Sequence, residues 1–100
     1  MVTNDLELVK KIFELVESGI VHGYDFFCYK VEVGEGCMEA ELTVKKNEVE
    51  FHDVETDFDS FLIYDFVEKL KANAVGRGEN WHSFVMTYQR GGSVKTNFLY

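Results

Sequence analysis

Proline is absent from this chain of 100 residues, and what else is scarce narrows the reading further. Without proline there is no stiff Pro-rich linker, so the chain reads as an unbroken series of regular elements. Only two cysteines occur, Cys28 and Cys37, and they form neither a C-x-x-C redox pair nor half of a zinc site. If the Gly34-Glu35-Gly36 turn joins two strands, Val33 faces Cys37 and Cys28 lies several residues from its level. That geometry argues against a disulfide and for a reducing cytoplasmic setting. No apolar run approaches the roughly 18 residues of a membrane span, and Met1–Asp5 lacks the basic start and apolar stretch of a signal peptide. Glycine-rich phosphate loops and nucleophile-elbow patterns are missing too.

What is present suffices for a core. A composition 46% hydrophobic, 15% aromatic and 28% charged lies far from the signature of disorder, and this length fits a single domain.

The formal charge of −8 is unevenly placed. Residues 47–68 hold Glu48, Glu50, Asp53, Glu55, Asp57, Asp59, Asp65 and Glu68 with no Lys or Arg, eight of the eighteen acids. The remainder, with ten acids and ten bases, is formally neutral. Such a chain is a poor ligand for nucleic acid or anionic membrane and a reasonable one for a basic protein.

Periodicity predicts a helix over 4–18, capped by Asn4 with Glu7 three residues on and carrying an apolar stripe of Leu6, Val9, Phe13, Val16 and Ile20. Three strands follow at 24–33, 37–46 and 48–53. Phe27, Tyr29, Val31 and Val33 alternate in the first, and Met38, Ala40, Leu42 and Val44 in the second. In the third, Val49 and Phe51 are expected inward, with Glu48, Glu50 and His52 outward. Lys46-Asn47 supplies the second turn. A second helix is expected over 57–74, with Thr56 and Asp59 as a capping box, Ile63, Val67, Leu70 and Ala74 as its stripe, and Lys69 and Lys71 near its end. Trp81–Gln89 and Val94–Tyr100 form a closing hairpin about Arg90-Gly91-Gly92-Ser93. The expected fold is therefore α+β: helix, antiparallel meander, helix, hairpin, with the helices on one face of a mostly antiparallel sheet.

Each constellation with chemical potential has a plainer reading beside it. Asp53-x-Glu55-x-Asp57-x-Asp59 superficially suggests a calcium loop, but the sixth and twelfth positions hold Phe58 and Tyr64 where Gly and Glu are required. Helix capping accounts for Asp57 and Asp59. It does not account for Glu48, Glu50, Asp53 and Glu55, whose like charges repel along a strand. These six acids are the candidate partner-binding residues, and the alternative is simple solubility. His22, His52 and His82 stand thirty residues apart without a second ligand at helical or strand spacing. No catalytic, cofactor or metal residue is assigned. Tyr24, Phe26 and Cys28 oppose Phe27 and Tyr29 across the first strand, which suits either a central strand or an exposed patch.

The stretch Trp81-His82-Ser83-Phe84-Val85-Met86-Thr87-Tyr88, then Gly91-Gly92 and Val94-Lys95-Thr96-Asn97-Phe98, resembles the closing hairpin of the YezG-like immunity proteins. The order of the preceding elements is similar, including an acidic stretch ahead of the second helix. The pattern covers about twenty residues, and it departs at Phe98-Leu99-Tyr100, where the family's last strand often runs into acids. The resemblance implies an antitoxin without enzymatic activity or cofactor, binding a cognate toxin domain that is commonly a nuclease with a basic groove. Two other readings stay open: an acidic nucleic-acid mimic acting on a DNA- or RNA-binding protein, and a small-ligand domain with a pocket between helix and sheet.

Overall fold

The computed structural model describes residues 3–34 and 36–100, with the side chains of Thr3 and Asn4 left aside. Helix α1 spans Thr3–Gly19, strands β1, β2 and β3 span Phe26–Gly34, Cys37–Lys46 and Val49–Phe51, helix α2 spans Ser60–Gly76, and strands β4 and β5 span Ser83–Gln89 and Val94–Leu99. All strand pairs are antiparallel in the order β3-β2-β1-β4-β5, which makes this an α+β fold.

Strand β1 is central, and this explains why it is apolar on both sides. Phe27, Tyr29 and Val31 are buried toward the helices, in register with Val44, Leu42 and Ala40 of β2 and with Tyr88, Met86 and Phe84 of β4. Phe26 and Cys28 lie half-buried on the opposite face, where Lys45 Nζ sits 5.6 Å from the Phe26 ring.

The core joins Leu8, Val9, Ile12, Val16 and Ile20 of α1 with Ile63, Val67, Leu70 and Ala74 of α2 and the helix-facing residues of the sheet. The stripe of α2 is the expected one. That of α1 is rotated: Leu6 is exposed, whereas Leu8 and Ile12 are buried. Asp5 continues the stripe at its N-terminal end, so the rotation is bought by pairing a buried carboxylate. Its Oδ2 lies 2.9 Å from Arg77 Nη2, and its Oδ1 accepts from Asn73 Nδ2 at 3.0 Å. The expected Asn4 cap falls on a side chain outside the described residues, although Asn4 already lies within the helix.

Both meander turns sit one residue from their expected places. Gly34 pairs with Cys37 and Val33 with Met38, one residue off the expected facing of Val33 and Cys37; Glu35 lies outside the described residues. Cys28 faces Thr43, and both thiols are free. Lys46 pairs with Val49, leaving Asn47-Glu48 as the second turn with φ of 54° and 65°. Positive φ at both central residues is the twist a two-residue hairpin requires.

Helix α2 begins three residues later than expected. Its cap is Asp59, whose Oδ1 accepts from Phe61 N at 3.0 Å and Leu62 N at 3.2 Å. Thr56 instead forms an isolated β-bridge with Ile20. At the other end Gly78 adopts φ +83° while the amides of Arg77, Gly78 and Glu79 return to Ala74 and Val75, closing the helix. Lys71 lies short of the last turn and donates to Asn80 Oδ1 at 2.8 Å and to the Trp81 carbonyl. Trp81 and His82 precede β4, and Tyr100 follows β5. Among the described residues no helix is long and apolar enough to cross a membrane.

Candidate functional site

The six acids singled out from the sequence all lie on one surface segment, residues 48–59, running from the β2–β3 turn to the first turn of α2. The segment is anchored by its backbone. Asp57 N donates to Gly19 O at 2.7 Å, Val21 N donates to Glu55 O at 3.4 Å, and Ile20 bridges Thr56. Phe58 presses on Gly19 so closely that a Cβ there would sit 2.6 Å from its ring, so only glycine admits this approach. The β2–β3 turn is held by Asn47 N donating to Asp25 Oδ2 at 2.8 Å and by Lys46 Nζ donating to His22 O at 2.6 Å.

Glu48, Glu50, Asp53, Glu55, Asp57 and Asp59 are all exposed, but they are not equally free. Asp59 is occupied as the cap of α2. Glu50 lies opposite Lys45 and 3.3 Å from His52 Nε2, and Glu55 lies 3.4 Å from His22 Nε2. The fold thus brings Lys45 opposite Glu50 and His22 beside Glu55, neighbours that adjacency in sequence does not reveal. Among the described residues Glu48, Asp53 and Asp57 form no ion pair.

Large apolar side chains accompany the acids. Val49 and Phe51, expected inward, are 53% and 46% exposed, because β3 is a three-residue edge strand at the border of the sheet. Phe61, in the first turn of α2, is 81% exposed. The alternation that set Val49 and Phe51 inward cannot tell a covered face from the same face beyond its cover.

A cavity of about 220 Å³ opens beside this segment, between the β1–β2 face and the start of α2. Tyr29, Asp53, Thr56, Phe58, Ser60 and Tyr64 are among its walls. Tyr29 is 2% exposed, and its hydroxyl is the buried side-chain polar atom left without a hydrogen-bond partner among the described residues. Burial, with a smaller contribution from nearby Tyr64, holds its ionisation well above the usual tyrosine range.

The histidines and cysteines are dispersed. His82 Nδ1 lies 3.1 Å from Ser83 Oγ and its Nε2 2.8 Å from the Tyr100 carbonyl, but burial of Ser83 closes that hydroxyl to an incoming substrate. Burial also pushes the Cys28 thiol above its ordinary value, away from the reactive thiolate. Among the described residues no group of three or more His, Cys, Asp or Glu is gathered to hold a metal ion. A second polar cluster escaped the sequence reading. Arg77 bridges buried Asp5 and Glu79, and Tyr100 donates to Glu79 Oε1 at 3.0 Å, tying the two helices to the last strand.

No family model matches the chain, and no curated protein matches it.

Proposed function

We propose that this protein is an immunity protein that neutralises a toxin by binding it through the acidic surface of residues 48–59, without catalysis or a cofactor of its own. The observation that carries this reading is the joint exposure of Glu48, Glu50, Asp53, Glu55, Asp57 and Asp59 on one anchored segment flanked by exposed Phe51 and Phe61. Charges scattered for solubility need neither a fixed backbone nor neighbouring apolar anchors, whereas a protein interface uses both. The backbone at Glu48 adds support. A non-glycine residue at φ +65° is strained by about 1 kcal/mol, and a carboxylate kept there has a use other than stability.

A basic groove, such as that of a nuclease, is the complementary partner surface. The resemblance of the closing hairpin to YezG-like immunity proteins points to the same class of partner. The test is co-expression with a panel of basic toxin domains, from which the cognate one is the domain whose killing this protein suppresses. Wild-type protein protects the cells, and the double variant Glu50→Lys/Asp53→Lys protects them poorly while folding normally. Full protection by the folded double variant overturns the assignment of this surface.

A further inference from the structure

We propose that this protein pairs with a second copy of itself through strand β5, the two sheets joining edge to edge in antiparallel register about a two-fold axis at Thr96. This edge is separate from the acidic segment, and the inference stands independently of what that segment binds.

Strand β5 ends the sheet: it is six residues long, paired with β4 on one side and, among the described residues, with no strand on the other. The Leu99 carbonyl accepts from His82 N at 2.8 Å and therefore faces β4. Alternation along the strand turns the main-chain groups of Asn97 and Lys95 toward β4 as well, and those of Val94, Thr96 and Phe98 outward. No hydrogen bond among the described residues answers these outward groups. Such a row of open amides and carbonyls is a template for another strand. The usual devices against pairing are missing from β5, which has no proline and whose single charge, Lys95, lies among the exposed residues of the face away from the helices. The other edge, β3, is only three residues long.

Side chains and charge both select a second copy as the occupant. With Thr96 opposite Thr96 of the other copy, Val94 stands opposite Phe98, and each outward amide meets a carbonyl. Val94, Thr96 and Phe98 are half-buried on the helix side, where the Phe98 ring packs against Trp81 and Phe84. The new row is then a threonine pair flanked by two aromatic–β-branched pairs, combinations that stabilise antiparallel ladders. On the other face Lys95 stands opposite Asn97, so no like charges oppose each other. Strands β4 and β5 contain no acid, whereas the acidic segment borders β3 at the far end of the sheet. For a chain of charge −8, β5 is thus the edge where a second copy meets least repulsion. A basic partner finds nothing to attract it there.

Sedimentation velocity over a concentration series tests this with the wild type, Thr96→Pro and Thr96→Lys. Proline removes the outward amide at the axis without touching a bond to β4, and lysine sets two ammonium groups against each other across it. The wild type forms dimers, and they tighten as salt rises, because salt screens the repulsion between two acidic bodies. Both variants keep the wild-type circular dichroism and weaken the dimer by roughly tenfold or more. Register is read separately in a Cys28→Ser/Cys37→Ser background. There Thr96→Cys cross-links to its own copy under mild oxidation, while Asn97→Cys, displaced by two positions from its own copy, cross-links far more slowly. A wild type that stays monomeric up to millimolar concentration overturns the proposal, as does a dimer that the folded variants retain or one that loosens with salt. Equal cross-linking of the two cysteine variants overturns the axis at Thr96. Should Thr96→Pro fail to fold, Thr96→Lys decides alone.

Discussion

Trp81 shows how one side chain can fasten three elements. It is buried, its ring lies 5.0 Å from that of Phe98 in β5, and Lys71 of α2 places its ammonium 5.2 Å from the indole while bonding the Trp81 carbonyl. Trp81→Ala should therefore cost about 3–5 kcal/mol, measured by urea unfolding. A loss under ~1 kcal/mol would mean that the hairpin closes without it. The tyrosines carry a second prediction. Tyr24, buried and donating to Glu17, and Tyr29, buried, are both held above the ordinary tyrosine range, and Tyr100 is raised by its bond to Glu79. Their folded values exceed the unfolded value of about 10, so the unfolded chain ionises first. The stability they contribute is complete below about pH 10 and falls as pH rises beyond it. Unfolding midpoints should hold up to about pH 10 and drop as pH rises above it, and the drop should be shallower in Tyr24→Phe. A midpoint flat across that window would contradict the assigned environments.

Among the elements, the β2–β3 hairpin best separates what stability wants from what a binding surface wants. Asn-Gly is the preferred pair for such a turn, and here Asn47 is followed by Glu48 at φ +65°. Glu48→Gly should raise stability by about 1 kcal/mol while removing one exposed carboxylate from the surface. Thermal melts check the first effect, and a Tm at or below that of the wild type would refute the strain. The elements were largely legible in the sequence because their apolar periods are strong. The alternation in β1 and the stripe of α2 came out as read, whereas in β2 only Val44 is fully buried and Ala40 is exposed. What was not legible depends on tertiary context. The cap of α2 fell to Asp59 because Thr56 is drawn into a bridge with Ile20. The phase of α1 was obscured because its buried stripe begins with a carboxylate whose partners, Asn73 and Arg77, lie about seventy residues away.

At the scale of the whole molecule, the charge of −8 becomes a surface with direction. The sequence marked the acidic block, since eight acids without a Lys or Arg in residues 47–68 is a local feature. It could not show that His22 stands 3.4 Å from Glu55, that Lys45 lies opposite Glu50, or that a cavity of about 220 Å³ opens beside them. The exposed carboxylates should matter little for folding, because isolated surface charges seldom contribute more than about 1 kcal/mol. They should matter for encounter, because an acidic face accelerates association with a basic partner and loses that advantage as salt shortens the Debye length to about 10 Å at 0.1 M. The most direct measurement is therefore the association rate with the toxin domain against which the protein protects, at low and moderate ionic strength, for the wild type and for Glu50→Lys/Asp53→Lys. The account predicts fast wild-type association that falls at least tenfold between about 0.02 and 0.2 M salt, and a double variant that is slow throughout with an unchanged Tm. Association equally fast in both proteins and insensitive to salt would contradict it.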